Sequence, residues 1–203
     1  MTTETNAVGS RPVHIYMEAS PNPNSLKFVA NSMLVPEGAS FDYPSLEDAS
    51  NSAMARELFQ AFTFVDRVFI MSNFVTVTKN NDKEWQEIQT EVRNFIREYL
   101  ERGQPTVDLT KAAAEEQEKE AGTGEETETE AKIKQVLDEY IRPAVEQDGG
   151  AIAFHSFEDG VVKVLLQGSC SGCPSSTITL KAGIENLLKR AVPEVQSVEA
   201  EGV

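Results

Sequence analysis

The chain has few of the residues that most often carry chemistry: two cysteines, two histidines and one tryptophan among 203 residues. Basic side chains are also scarce, with 18 lysines and arginines against 33 acidic residues, which gives a formal net charge of -15. A field of that sign repels the phosphates of nucleic acids and of anionic lipids. No apolar run approaches the roughly 20 residues that a membrane-spanning helix needs. We therefore expect neither nucleic acid nor a membrane as a partner.

The N-terminal segment MTTETNAVGSRPVH lacks the patterns of common targeting signals. It has neither the apolar core of a secretory signal nor the arginine-rich amphipathic character of an organellar transit peptide. This absence predicts a cytoplasmic location. In a reducing compartment, two cysteines three positions apart more often bind metal or exchange electrons than form a structural disulfide.

Residues 111–130 separate two halves of the chain. This segment contains eight glutamates, two lysines and almost no large apolar side chain. Such a composition cannot bury enough surface to offset the entropy lost on ordering. We predict an acidic flexible linker at 105–130, of which the first part can form a frayed helix. The predicted fold class is α+β, with two small domains at 10–104 and 131–203.

The first half alternates strand and helix patterns. Period-two alternation and β-branched residues predict four strands, at 13–18, 26–30, 65–70 and 74–79. Helical spacing of apolar residues predicts a short helix near 52–59 and a longer one at 83–102, with Gly103 as its C-cap.

The second half predicts the order helix, strand, strand, helix, strand. Apolar spacing from Ile133 to Val145 indicates the first helix, and Pro143 within it should kink or divide the helix. Asp159 and Gly160 form the strongest turn signal of the predicted hairpin. The predicted strands are 151–157, 161–167 and 195–200, and the second helix runs through 180–191 and stops before Pro193.

Both cysteines, Cys170 and Cys173, lie in the loop between the predicted hairpin and the second helix. The CxxC spacing alone does not identify the chemistry, because zinc sites, iron-sulfur sites and dithiol redox centres all use it. Burial of both cysteines as small apolar residues is disfavoured, because the surrounding glycines and serines predict an accessible loop. A thioredoxin-like centre is weakened because too few residues follow the second helix to complete that fold. Metal binding is therefore the leading interpretation.

A closed metal site needs about four donors, and the loop supplies two. His14, in the first domain, and His155, in the second, are both interpreted as structural residues. The other two donors would then come from a second chain across a twofold axis. The main-chain amides around the loop could donate to cluster sulfurs, which modestly favours iron-sulfur over zinc, although N-capping explains the hydroxyls equally well. These amides belong to Ser171, Gly172, Ser175, Ser176 and Thr177.

At this point the residues resemble a known family. The stretches RPAVEQDGGAI at 142–152 and GVVKVLLQGSCSGCPSSTITLKAGIENLL at 160–188 closely resemble the NifU-like C-terminal domain of the Nfu iron-sulfur proteins. YMEASPNPNSLKF at 16–28, ELF at 57–59, FVTVTK at 74–79 and the helix from Trp85 are similar to the Nfu N-terminal domain. NSAMA at 51–55 departs from the Ser-Pro-Leu-Ala-like start of relatives, which affects only the local helix start.

The resemblance implies a carrier of iron-sulfur clusters and not an enzyme. It implies that Cys170 and Cys173 bind a 4Fe-4S cluster shared between two chains of a homodimer. Client apoproteins and upstream assembly factors are the implied partners, and contact with them is the role implied for the first domain. Two alternatives stay open: a dithiol-disulfide oxidoreductase with Cys170 as nucleophile and Cys173 as resolving thiol, and a zinc-binding interaction module.

Overall fold

A computed structural model describes residues 12–120, 127–171 and 174–202. Within these ranges, no helix combines the length and the apolar character needed to cross a membrane. The strands in chain order are β1 Ile15–Ala19, β2 Ser25–Ala30, β3 Ser40–Tyr43, β4 Val65–Met71, β5 Phe74–Lys79, β6 Gly150–Glu158, β7 Val161–Gly168 and β8 Ser197–Gly202. The α-helices are α1 Ala53–Ala61, α2 Trp85–Glu101, α3 Leu109–Glu120, α4 Glu128–Val136, α5 Arg142–Gln147 and α6 Pro174–Ala191.

The first domain is a five-stranded antiparallel sheet in the order β1-β2-β5-β4-β3. Alternate residues of a strand point to the same face. The apolar residues on one face of this sheet pack against α1 and α2. Phe28, Val68, Ile70 and Val75 belong to this buried cluster. The predicted strands and helices are confirmed with small shifts, and β3 is the strand that the sequence pattern misses. Its four residues lie in a turn-rich stretch, so no alternation is long enough to mark it.

Two end signals place the helices of this domain. Ser52 caps α1, because its hydroxyl accepts a 3.1 Å hydrogen bond from the amide of Ala55. The departure from the family pattern at 51–55 therefore still starts a helix. The C-cap residue of α2 is Arg102, one residue before the predicted Gly103, and Gly103 at φ 67° supplies the left-handed conformation that ends the helix.

The second domain packs its helices on a three-stranded sheet in the order β6-β7-β8. β6 and β7 pair antiparallel, and β7 and β8 pair parallel. Ile133, Val164, Ile184 and Leu188 lie in its core, with exposures of 0%. This arrangement confirms the α+β class and the predicted helix, strand, strand, helix, strand order.

The first helix of this domain is divided, as Pro143 predicts. A π-helical turn, Leu137–Ile141, separates α4 from α5. Pro143 lies in the first turn of α5, where its missing amide hydrogen leaves no intrahelical bond unmade. The hairpin turn also agrees with its sequence signal: Asp159 and Gly160 have φ values of 51° and 80°, as a type I′ turn requires.

The segment predicted as a linker begins as a helix, α3. Val107 and Ala112 are buried in the core of the first domain, so the packed unit continues past residue 104. A capping box between Thr127 and Glu130 starts α4. Residues 121–126 lie outside the described ranges, and the flexibility of the linker and the domain limits stay predictions.

Candidate metal centre at the cysteine loop

The cysteine loop begins where β7 ends and is held by main-chain hydrogen bonds. Gly168, at φ 64°, turns the chain, and the amide of Ser171 donates to its carbonyl at 3.2 Å. The amide of Ser169 donates to the carbonyl of Gly149 at 3.3 Å, and its hydroxyl donates to the carbonyl of Asp148 at 2.7 Å. The loop therefore lies directly on the Asp-Gly-Gly turn that precedes β6.

Cys170 is buried, with 6% of its surface exposed, and belongs to the core of the second domain. The expectation of an accessible loop is wrong at this residue, because the loop folds back onto the neighbouring turn. A Cβ added to Gly150 would lie 3.0 Å from the Cys170 sulfur and 2.6 Å from the carbonyl oxygen of Gln167. Gly150 thus leaves room for the sulfur, and the Ser169 hydroxyl lies 3.9 Å from it.

Cys173, the second predicted ligand, and Gly172 lie outside the described residues. The main chain is described again from Pro174, the first residue of α6. A helix N-terminus carries partial positive charge, which stabilises thiolates in its neighbourhood. The amide of Ser171, predicted to donate to a cluster sulfur, donates to Gly168 here. The amides predicted for Ser175, Ser176 and Thr177 stay a prediction.

The two histidines lie away from the loop. His14 is exposed just before β1, where its main chain bonds to Asn31. His155 is exposed and sits at a bulge of β6, five residues from Gly150, or about 16 Å along a strand. Among the described residues, no group of three His, Cys, Asp or Glu side chains is positioned to hold a metal ion.

The first domain covers the cysteine loop with the second face of its sheet. This outer face consists of Lys27, Asp42, Arg67, Phe69, Met71, Phe74 and Thr76, which alternate with core residues along β2 to β5. Phe69, Met71 and Phe74 form an apolar cluster with Ala151 of the second domain, and all four are at most 6% exposed. The strands β2, β4 and β5 are therefore buried on both faces, whereas β1 exposes Tyr16.

Hydrogen bonds join the outer face to the turns that form the cysteine loop. The Thr76 hydroxyl donates to the carbonyl of Gly149 at 2.7 Å. The Lys27 ammonium donates to the carbonyls of Glu146 and Gln147 at 3.3 and 3.2 Å. From the β1–β2 turn, the Asn22 amide group donates to the carbonyl of Ser169 at 3.1 Å. All of these acceptors are main-chain oxygens, so the first domain recognises the shape of the turns.

Among the residues of this contact, Asp42 has the most strongly shifted pKa. Its carboxylate pairs with the Arg67 guanidinium at 2.6 Å. Burial nevertheless raises the pKa of Asp42 from 3.8 to about 6, although Arg67 and the main-chain amides of Gly168 and Tyr43 favour the charged form. The desolvation of the Asp42 carboxylate outweighs its pairing with Arg67. Burial of the charged carboxylate therefore costs folding free energy.

Sequence reasoning missed the residues of this contact. In β2, Lys27 lies between two core residues, which predicts that it faces outward, yet the structure leaves it only 8% exposed. A polar residue in a strand with one solvated face normally points to water. The period-two pattern of β5 likewise marks Thr76 as outward-facing, and nothing in the pattern indicates that a second domain covers it.

Comparisons with known proteins agree with the arrangement of the chain in two domains. Residues 133–199 match the family model described as NifU-like domain, and residues 15–103 match the one described as Scaffold protein Nfu/NifU N terminal. The NFU1 iron-sulfur cluster scaffold homolog, mitochondrial, of Drosophila persimilis is 40% identical over 194 residues, covering 96% of this chain and 67% of that protein.

Two further relatives show a similar degree of identity. The Homo sapiens protein of the same name is 41% identical over 190 residues, covering 93% of this chain and 72% of that protein. NifU-like protein 4, mitochondrial, of Arabidopsis thaliana is 41% identical over 194 residues, covering 94% of this chain and 67% of that protein. The similarity thus spans both halves of the chain and the segment between them.

The names of these relatives contradict the predicted cytoplasmic location, since all three are named mitochondrial. That prediction rested on the absence of a targeting pattern in the first residues. Such an absence does not determine a compartment.

Proposed function

Because the chain belongs to the Nfu family of iron-sulfur cluster scaffold proteins, we propose that it holds an iron-sulfur cluster and passes it to client apoproteins. Cys170 and Cys173 are the proposed ligands, in a 4Fe-4S cluster shared between two chains. The relatives' names also lead us to propose that it acts in mitochondria. The role is that of a carrier, without catalytic turnover.

The position of Cys170 is the observation that carries this proposal. The residue stands at the junction between β7 and α6, in a domain matched by the NifU-like model. Here the main chain is fixed by the turn bonds of Ser169 and Ser171, and the positive end of α6 favours thiolate. With two thiols per chain and both histidines elsewhere, a second copy completes a four-donor site.

Transfer would follow from the way the ligands are divided between two chains. A cluster at a subunit interface can exchange one thiolate at a time with the cysteines of a client. No atom changes its oxidation state in this exchange: each client thiol loses its proton as it binds iron, and the carrier thiolate that it replaces is released and takes up a proton. The driving force is the completion of four ligands within one client chain.

Anaerobic reconstitution with iron and sulfide tests the proposal. We expect about four irons per dimer, a cluster absorption band and a mass that doubles on loading. Cys173→Ala should abolish cluster retention. Cys170→Ala should do the same and should also lower the free energy of unfolding of the apoprotein by about 1 kcal/mol, because its sulfur lies in the core.

Three results would overturn the proposal in different ways. A monomer that retains no iron and reduces disulfides would identify an oxidoreductase. Zinc retained in preference to iron would indicate a zinc module. Full cluster retention by Cys173→Ala would exclude that thiol as a ligand.

A further inference from the structure

We propose that the outer face of the first domain is a docking surface for the cysteine loop of its own chain, and that docking competes with the sharing of a cluster between two chains. The competition rests on the proposed function, whereas the docking does not. The docked partner is the end of the second domain formed by the Asp-Gly-Gly turn and the start of the cysteine loop.

The glycines of the second domain fit this surface closely. A Cβ on Gly149 would lie 2.8 Å from the Thr76 hydroxyl oxygen, and one on Gly168 would lie 2.8 Å from the ring of Phe69. Both distances are shorter than real Cβ atoms show to non-bonded atoms. Because these glycines have no side chains, the first domain can approach the main chain closely enough for Thr76 and Lys27 to donate hydrogen bonds to its carbonyls.

The residues next to Cys170 are covered by this contact. Ser169 and Ser171 are 2% and 6% exposed. Asn22 bonds to the carbonyl of Ser169, and Ser171 lines a polar cleft of about 330 Å³ together with Asn22, Arg67 and Lys79. A second copy of the loop that approaches Ser169 and Ser171 must displace the first domain from them. On this side the docked chain is therefore closed to the dimer contact that a shared cluster requires.

Because the two domains belong to one chain, even a weak contact between them keeps most chains docked. Short flexible linkers give effective concentrations in the millimolar range, so a docking dissociation constant of about 0.1 mM would keep about nine chains in ten closed. Because two chains must open to share one cluster, the apparent dissociation constant of the dimer would rise about 100-fold. Opening the contact should relieve that penalty.

Two variants open the contact from opposite sides. Thr76→Arg places a long charged side chain where Gly149 now lies, on the face of β5 that does not form the first domain's core. Ala151→Arg does the same from β6, within the apolar cluster that joins the domains. Thr90→Arg and Ala182→Arg are the matched controls, because both positions are exposed on helices. If one opening variant fails to fold, the other remains informative.

Amine acylation of Lys27 in the full-length apoprotein reports on docking without any cluster. Lys27 is only 8% exposed and its ammonium bonds to the second domain, and Lys83 is an exposed lysine of the first domain for reference. We expect the Lys27 labelling rate, relative to Lys83, to rise about tenfold in both opening variants and to stay unchanged in both controls. Equal rates in the wild type and the opening variants would overturn the docking.

Cluster loading then tests the competition. We expect Lys27 of the wild type to become reactive on reconstitution with iron and sulfide, and the opening variants to form the loaded dimer at about 100-fold lower protein concentration. Lys27 that stays protected in a loaded dimer would overturn the competition and leave the docking in place. Protected Lys27 in an apoprotein that never retains iron would support the docking and refute the proposed function instead.

Discussion

In the first domain's sheet, both faces of β2, β4 and β5 are buried, but by different parts of the chain. The inner face packs against α1 and α2, which follow or connect its own strands. The outer face packs against turns of a domain that begins beyond residue 127. Antiparallel sheets commonly leave one face in water. Neighbouring residues of the central strands therefore have two different roles. Inner-face residues stabilise the first domain, and outer-face residues pack against the second domain.

Two neighbouring residues of β4 test the difference between the two faces most directly. Ile70 is fully buried on the inner face, and Met71 is 2% exposed on the outer face. Ile70→Ala should lower the free energy of unfolding of the first domain by about 2 to 5 kcal/mol, because it opens a cavity in the core. Met71→Ala should lower that energy by only about 1 kcal/mol, because it weakens a contact that keeps about nine chains in ten docked, and should increase Lys27 labelling. Denaturant unfolding followed by Trp85 fluorescence, together with the labelling assay, measures both.

The opposite pattern would refute the division of roles. If Met71→Ala lowered the stability of the first domain as much as Ile70→Ala, the outer face would belong to one cooperative core with the inner face. In that case the two domains would unfold together, and the transitions followed by different probes would coincide.

Local patterns predicted much of this structure, and contacts between domains escaped them. The Asp159-Gly160 turn and the break at Pro143 follow from backbone restrictions that a few residues impose. β3 is too short to show alternation. The position of the cysteine loop was predicted from the order of elements, but the burial of Cys170 depends on the fit of Gly150 against it. The contact of Thr76 with Gly149 joins residues 73 positions apart, and no periodicity records such a pair.

The pH dependence of stability tests the burial of the outer face, because Asp42 lies on this face. Its pKa of about 6 in the folded chain exceeds the 3.8 of an ordinary aspartate. The folded state therefore binds more protons than the unfolded state between about pH 4 and 6, and stability falls as the pH rises through this window. The loss is up to about 3 kcal/mol and should be absent in Asp42→Asn. Urea unfolding from pH 4 to 7 measures it.

Asp66→Asn is the control for the titration of Asp42, because Asp66 is exposed near the same strand pair. This variant measures the effect of losing one negative charge from β4 while the Asp42 carboxylate stays in place. The informative quantity is the difference between the slopes of the wild type and Asp42→Asn. A difference near zero would mean that the Arg67 guanidinium compensates the burial of Asp42 fully.

The smallest expected difference compares the two ends of the β6–β7 hairpin. Gly168 and Gly160 have φ values of 64° and 80°, so alanine at either position costs about 1 to 2 kcal/mol in backbone strain. A Cβ at Gly160 meets only the flexible side chain of Gln196, whereas a Cβ at Gly168 meets the Gly149 carbonyl and the Phe69 ring. Gly168→Ala should therefore cost about 1 to 3 kcal/mol more than Gly160→Ala.

The part of this difference that comes from docking is separable in a double-mutant cycle. Phe69→Ala removes the ring from the path of the new methyl group and leaves the contact with the Gly149 carbonyl. If the outer face is a docking surface, Gly168→Ala should be less costly in the Phe69→Ala background, by about 0.5 kcal/mol or more. Gly160→Ala should show no such coupling, because its methyl group lies at the other end of the hairpin from Phe69. Equal coupling at both glycines would mean that Phe69 acts on the second domain through its overall stability and not through the contact at the cysteine loop.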